Sequence, residues 1–275
     1  MEKRDLIIGG FSNYDWDKIK YWANSIDISG FTGHKIAVAL STDKKTIETL
    51  IDKNFTVVQV TQNKNIPIHV ERFIHIWNVL SNLQKDFVPR YVVTTDVKDV
   101  VFQRNPIEWL EENLDGKHLV AGSESMKYKD EPWGNQNLYE AFGEWFHNRY
   151  KENPIYNVGT IAGSFPVVRD LCLMIFQMSI NRPIPIVDQA VYNFLLWQEP
   201  YRSITKFATS EDGWAAQLGT TADPSKIDQF KPFLLEETPK MIDEKVVTST
   251  GKEFALVHQY DRVPEWKNII ERKYG

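Results

Sequence analysis

The stretch Tyr91-Val-Val-Thr-Thr-Asp96-Val-Lys-Asp99-Val-Val-Phe-Gln103 decides how the chain is read. An apolar run delivers two carboxylates, Asp96 and Asp99, to its carboxyl end, and a second apolar run follows. In open α/β sheets, ligands bind in the crevice beyond the carboxyl ends of the strands. A hard cation such as Mg²⁺ takes one or two carboxylates and fills its shell with water and substrate phosphate oxygens. Asp96 and Asp99 are therefore candidate metal ligands of a site for a nucleoside diphosphate. A solvated turn after a buried strand is the competing reading.

Outward from this strand, short β-rich runs alternate with helical patterns, which indicates βαβ units and a mostly parallel sheet. Strands are expected at 6–9, 35–40 and 56–60, and helices at 14–27 and 44–53. Val70, Phe73, Ile74, Trp77 and Leu80 fall at helical spacing, which predicts an amphipathic helix over 68–83 leading into the Tyr91 strand. Asn105-Pro106 starts the next helix, with Ile107, Leu110 and Leu114 as its apolar stripe. After 118 the pattern loosens: a strand at 119–123, a polar, turn-rich segment at 124–134, a helix at 138–150 and a strand at 155–162. Ser164 as N-cap and Pro166 in the first turn open a helix to about 180, and another helix begins near Asp188. Beyond Pro200 come short strands and loops, a strand at 254–258 and a terminal helix from Pro264. There is no internal repeat and no Gly/Ser linker, so 1–275 reads as a single domain: a Rossmann-like, mostly parallel sheet flanked by helices.

With 42% hydrophobic and 25% charged residues, composition is that of a folded domain and gives no sign of disorder. A net charge of -5 and a pI near 5.7 oppose a nucleic-acid footprint. The start of the chain offers only three consecutive apolar residues before Gly9, far from the roughly 7–15 of a signal peptide core. No run approaches the roughly 20 apolar residues of a membrane span. Cys172 is the one cysteine, so no intrachain disulfide forms. A cytoplasmic setting is the expectation. Aromatic residues reach 13%, enough to supply platforms for apolar sugar faces as well as core.

Four segments carry a family resemblance: Thr95-Asp96-Val-Lys-Asp99-Val-Val-Phe102, Asn157-Val-Gly-Thr-Ile-Ala-Gly163, Val187-Asp-Gln-Ala-Val-Tyr-Asn193 and Leu256-Val-His-Gln-Tyr-Asp-Arg262. Their kind and order resemble glycosyltransferases of the A-type, nucleotide-diphospho-sugar transferase fold. The family's metal motif is Asp-x-Asp, whereas this chain has Asp-x-x-Asp with Lys98 between. The resemblance implies a transferase moving a sugar from a nucleotide diphosphate donor, UDP-linked, to a glycan or other hydroxyl acceptor. Residues 1–115 would form the donor half and 116–275 the acceptor half.

Carried over residue by residue, the resemblance makes Asp99 the metal-chelating acid and assigns Asp96 to the ribose or the metal. His258, at the end of an apolar run, would complete the metal's shell; an imidazole favours Mn²⁺ over Mg²⁺. An interior hydrogen-bonded histidine is the alternative. The other histidines, His34, His69, His75, His118 and His147, have no comparable context. Gly10, Phe11, Asn13 and Tyr14 form a glycine-led donor loop in which a ring stacks the base and Asn13 bonds its edge; Asn13 as a helix cap is the alternative. Thr95, Arg72, Asn157 and Gly159 also face the donor, although Arg72 has Glu71 and Asp86 as alternative ion-pair partners. Asp188 and Gln189 are the candidate catalytic residues. Asp188 takes the acceptor proton if configuration inverts; if it is retained, Asp188 binds sugar hydroxyls and Gln189 lies beneath the anomeric carbon. Helix capping by Asp188 and a bulge at Asn157 and Gly159 are the bland readings. The loops around Trp133 and Trp214 have the aromatic and polar mix of an acceptor groove. A sugar nucleotidyltransferase and a non-catalytic sugar-binding protein are the rival functions. The first is disfavoured because residues 9–14 hold no Lys or Arg for a phosphate loop.

Overall fold

Every residue of the first strand, β1 (Leu6–Ser12), is buried, as expected of a strand covered on both faces. The computed structural model describes residues 5–83 and 87–275; residues 1–4, part of the leader reading, and Asp86, weighed as a partner for Arg72, lie outside the described residues. After β1 the chain runs α1 (Trp16–Ile28), β2 (His34–Leu40), α2 (Lys44–Asp52), β3 (Thr56–Val60), α3 (Ile68–Ser81), β4 (Tyr91–Thr95), β5 (Val100–Phe102) and α4 (Pro106–Asn113). The second half adds β6 (Leu119–Lys127), α5 (Pro132–Tyr150), β7 (Pro154–Tyr156), β8 (Thr160–Ser164), α6 (Phe165–Ser179), α7 (Asp188–Leu196), α8 (Tyr201–Ile204) and β9 (Thr205–Ala208). It closes with β10 (Ala215–Gln217), α9 (Leu218–Thr221), α10 (Ile227–Phe230), the hairpin β11 (Lys240–Ile242) and β12 (Lys245–Val247), β13 (Leu256–His258) and α11 (Pro264–Tyr274).

The main sheet has the order β3-β2-β1-β4-β8-β6-β7, with β9 also paired to β6. β1 pairs in parallel with β2 and β4, and β6 with β9, while β8 runs antiparallel between β4 and β6. The expected single-domain α/β architecture, a mostly parallel sheet flanked by helices, is what forms. β1 alternates cleanly: Leu6 and Ile8 join the core under α3 and α6, while Ile7 and Phe11 face the core of α1 and α4. A second sheet, β10-β13-β5, sits beyond β4 and packs Val101, Phe254 and Val257 against Ile270 and Tyr274 of α11. Among the described residues, no helix is long and apolar enough to cross a membrane.

Several boundaries differ from the sequence expectation. The strand expected at 155–162 is two strands, because Asn157 Oδ1 accepts from Gly159 N at 2.7 Å and turns the chain between β7 and β8. Residues 124–134 are not a simple loop: β6 continues to Lys127, and α5 starts at Pro132 with Glu131 accepting from Gly134 N. α5 is broken at Gly143, whose φ of 78° a side chain would resist. Asn13 does not cap α1; Asp15 does, accepting from Lys18 N. Nor does Ser164 cap α6 through its side chain, which donates instead to the His118 carbonyl.

Trp22 locks α1 onto the sheet: it is fully buried, and its indole N–H donates to Thr95 Oγ1 at 2.9 Å. A Cβ on Gly9 would lie 2.8 Å from that indole, so the glycine makes room for it. Trp22→Ala is expected to cost about 3–5 kcal/mol in urea unfolding, the range for deleting a large buried aromatic. A loss below about 1 kcal/mol, that of an average surface change, would contradict this account of the core.

Candidate active site

Strand register explains the centre of the site. Thr95 lies opposite Gly9 on one side and Thr160 on the other, so the residues that follow or precede them, Gly10, Asp96 and Gly159, meet at one edge. The Asp96 amide donates to the Gly159 carbonyl at 2.9 Å, which fixes the turn carrying the carboxylate. The smaller sheet brings the rest: His258 is paired with Val100, next to Asp99, and with Gln217 on the other side. The Gln259 amide bonds the Asp99 carbonyl at 2.8 Å and holds the Asp99 turn against β13.

One ligand atom from each of Asp96, Asp99 and His258 lies within 4.8 Å of the others. His258 Nε2 is 3.5 Å from Asp96 Oδ2 and 3.7 Å from Asp99 Oδ1. Its other nitrogen, Nδ1, meets Gln217 Oε1 at 2.8 Å, and Gln217 Nε2 donates to Thr160 Oγ1 at 3.1 Å. Because the Gln217 amide points its oxygen at the ring, Nδ1 carries the hydrogen and Nε2 presents a lone pair to the two acids. A second partner of this kind is what fixes the tautomer of a metal-binding histidine. Burial holds the His258 pKa below its ordinary value; Asp99 and Glu124 oppose that shift. Three electron-pair donors thus converge with no proton between them, an arrangement that suits a divalent cation. Gly159 leaves the space: a Cβ there would lie 2.7 Å from Asp96 Oδ2 and 2.8 Å from the His258 ring.

Arg72 crosses the same region from α3. It pairs with Asp96 through Nη1 and donates to Asp188 Oδ2 through Nη2 at 3.2 Å. Its partners are therefore the two site carboxylates rather than Glu71, which accepts from Asn63 N and meets His75. Asp188 is the first residue of α7 and does not cap it. It is 2% exposed, and its Oδ1 has no hydrogen-bond partner among the described residues. Gln189 Oε1 accepts from Val158 N at 3.5 Å, and Asn157 Nδ2 donates to buried Glu124 at 2.7 Å. Burial pushes the Glu124 carboxyl pKa up, although the Asn157 bond opposes it.

Two cavities meet at these groups. The smaller, about 260 Å³, is lined by Gly10, Phe11, Tyr14, Lys98 and Arg262. The larger, about 400 Å³, is lined by Asn157, Gly159, Asp188, Gln189, Trp133 and His258. Asp96, Asp99, Arg72, His69 and Arg262 line both. Most of the residues expected from sequence therefore share one cleft. Two do not reach it: Thr95 spends its hydroxyl on Trp22, and the Asn13 amide bonds Ser12 and Gln62 at 2.7 and 3.2 Å. Trp214 is likewise in the core, donating to the Thr160 carbonyl. Lys98 is half exposed and 3.9 Å from Asp261, a surface ion pair.

Sequence reasoning gave no role to Glu124 or His69, and it placed Gln217 only within the acceptor-groove segment that starts at Trp214. Gln217 ends a short apolar run and is visible only through its register with His258. His69, at the start of α3, has only Glu71 near it as an acid in sequence, yet Asp188 and Asp99 act on it in space. Burial keeps its pKa below the ordinary value against their pull.

The fold is that of A-type glycosyltransferases. The galactosyltransferase LgtC in complex with donor and acceptor sugar analogues matches 97% of this chain and 95% of its own, with a TM-score of 0.57 at 12% identity. An active-site mutant of LgtC matches 92% and 86%, with a TM-score of 0.55 at 12% identity. The bifunctional glycosyltransferase WbbM matches 99% of this chain and 52% of its own, with a TM-score of 0.58 at 10% identity. No protein-family model matches the sequence, and no curated protein does.

Two measurements check the centre as a metal site. Gln217→Leu should weaken Mn²⁺ binding by about 10–100-fold in titration calorimetry, the usual loss when the outer partner of a ligating histidine is removed. Unchanged affinity would show that the amide does not orient His258. The depressed His258 pKa means that the ring stays neutral down to its ordinary pKa of 6.5 and protonates only below it. Mn²⁺ affinity should therefore hold from neutrality to 6.5 and fall beneath; a fall beginning above 6.5 would contradict the burial argument. Folding stability follows the same sign, with the His258 contribution complete above 6.5 and lost as pH drops through the lower folded value.

Proposed function

We propose that the protein is a metal-dependent glycosyltransferase that moves a sugar from a nucleoside diphosphate donor, UDP-linked, to a hydroxyl group of a glycan acceptor. The observation that carries the proposal is the convergence of Asp96, Asp99 and His258 Nε2 at the junction of two cavities. A cation at a donor diphosphate belongs where one cavity ends and the next begins, because the bond to be broken lies there. The donor set of two carboxylates and one imidazole suits Mn²⁺ better than Mg²⁺. When bound, a divalent ion supplies Lewis-acid stabilisation of the charge that develops on the leaving diphosphate.

The chain's own residues account for the remaining tasks. Phe11 and Tyr14, stacked parallel at 6.2 Å, give the smaller cavity an aromatic wall for a base. Lys98 and Arg262 bring positive charge to the same cavity, which suits the diphosphate. In the larger cavity Asp188 Oδ1 is buried and unpartnered, and such an oxygen is costly until a donor reaches it. A sugar hydroxyl is the group that fits, held in place while Arg72 restrains the other carboxylate oxygen. Trp133 is 47% exposed at that cavity, a platform for the apolar face of an acceptor sugar. LgtC, bound to donor and acceptor sugar analogues, lends support from the same fold. The rival nucleotidyltransferase gains nothing from the cleft, since no Lys or Arg occurs in the loop after β1.

A panel of UDP-, GDP- and dTDP-sugars with Mn²⁺ or Mg²⁺ tests the reading through slow donor hydrolysis. Release from a UDP-sugar is expected, and no release from any donor would overturn it. Asp99→Asn should cut turnover by about 10²-fold or more, the scale for losing a key electrostatic contact. Its melting temperature should move by less than about 3 °C, the shift of roughly 1 kcal/mol in a chain this size. A large drop in melting temperature with turnover retained would return Asp99 to the structural turn.

A further inference from the structure

A third cavity, about 340 Å³, shares no lining residue with the cleft and lies within the usual range of small-ligand pockets, about 300–1,000 Å³. It opens between the end of α5, β7, the end of α7, α8 and β9. Its walls are aromatic: Tyr150 and Trp197 stack parallel at 4.9 Å, and Tyr156 meets Phe207 at the same separation. Two arginines flank it, Arg149 and Arg202, and no acid is among its described lining residues. Neither arginine forms an ion pair among the described residues; Arg149 instead lies over the rings of Tyr150 and Trp145. Trp145, beside it on α5, is 74% exposed, so the aromatic surface continues out of the cavity.

This combination is unusual for the molecule. The chain carries 37 acidic residues against 32 Lys and Arg, yet this cavity is flanked by two arginines and has no acid among its described lining residues. Aromatic rings receive the apolar face of a pyranose, while the planar guanidinium fork matches a carboxylate in two-point geometry. Tyr150 adds a hydroxyl: it accepts from Gln198 Nε2 at 3.2 Å, which leaves its own proton to donate.

We propose that this cavity binds an acidic saccharide, a hexuronate-type residue whose ring packs on the aromatic walls and whose carboxylate is held by Arg149 and Arg202. The choice of a saccharide over other carboxylates rests on the glycosyltransferase reading of the cleft. The site lies close behind that cleft, because Tyr156 of the cavity is followed directly by Asn157 of the cleft. It would hold a remote, charged part of a glycan while the reacting end occupies the larger cavity.

Binding, measured by calorimetry and ligand-observed NMR without turnover, tests this independently of catalysis. The probes are an oligosaccharide ending in glucuronate, its glucose-ended counterpart, glucose 6-phosphate and a glutamate-rich peptide. The glucuronate-ended probe should bind tightest, and Arg149→Gln/Arg202→Gln should weaken it about tenfold or more, as loss of charge-assisted hydrogen bonds does. Donor hydrolysis by the double variant should remain at the wild-type rate, which also reports that it folds. Tighter binding of the phosphate or the peptide would overturn the assignment. So would equal binding of both oligosaccharides, or affinity unchanged in the double variant.

Discussion

Arg72, a residue only 7% exposed, sets its guanidinium between Asp96 and Asp188, and the geometry of the site depends on that double pairing. Buried carboxylates are expensive unless paired, and removal of one partner leaves an uncompensated charge. Asp96 arrives just past the end of the strand β4, Asp188 on the helix α7 and Arg72 on the helix α3, so three elements distant in sequence are tied at one point. The second tie is Trp22, whose bond to Thr95 sets the strand end from which Asp96 departs. Between them these contacts let acidic groups crowd one edge without dispersing into solvent.

The two sheets divide the work. The main sheet places Asp96 and Gly159 by register, and the smaller sheet delivers Asp99, His258 and Gln217. Neither sheet alone holds the three convergent donors. Gly159 is needed where they meet, since any side chain there would occupy the space between Asp96 and His258. The same junction separates the cavity with the Phe11 and Tyr14 rings from the one with Asp188 and Trp133, so chemistry at the joint has access to both.

Much of this was legible from local pattern. Periodicity located β1 through β4 and the helices between them, because buried strands and amphipathic helices write their burial directly into residue order. Asp96 and His258 were readable because each ends an apolar run, and Asp99 because it sits in the turn between two such runs; strand ends are where such folds place ligands. What escaped depends on partners far apart in the chain. Gln217 matters through a bond to a residue 41 positions away, and Arg72 finds Asp188 at a separation of 116. Asn13 and Thr95 were expected to face the donor because of their neighbours, but their side chains turn to Gln62 and Trp22 instead. The split of 155–162 into β7 and β8 follows from one side-chain bond at Asn157, which strand periodicity does not register.

The central claim is that His258 and the two aspartates hold one divalent ion through a lone pair fixed on Nε2. Electron spin-echo spectroscopy of the Mn²⁺-loaded protein with UDP addresses it directly, because a coordinated imidazole nitrogen modulates the signal. The account predicts coupling to a single histidine nitrogen that disappears in His258→Gln while Mn²⁺ still binds more weakly through the acids. A spectrum with no nitrogen coupling in the unaltered protein, or coupling that survives His258→Gln, would contradict it.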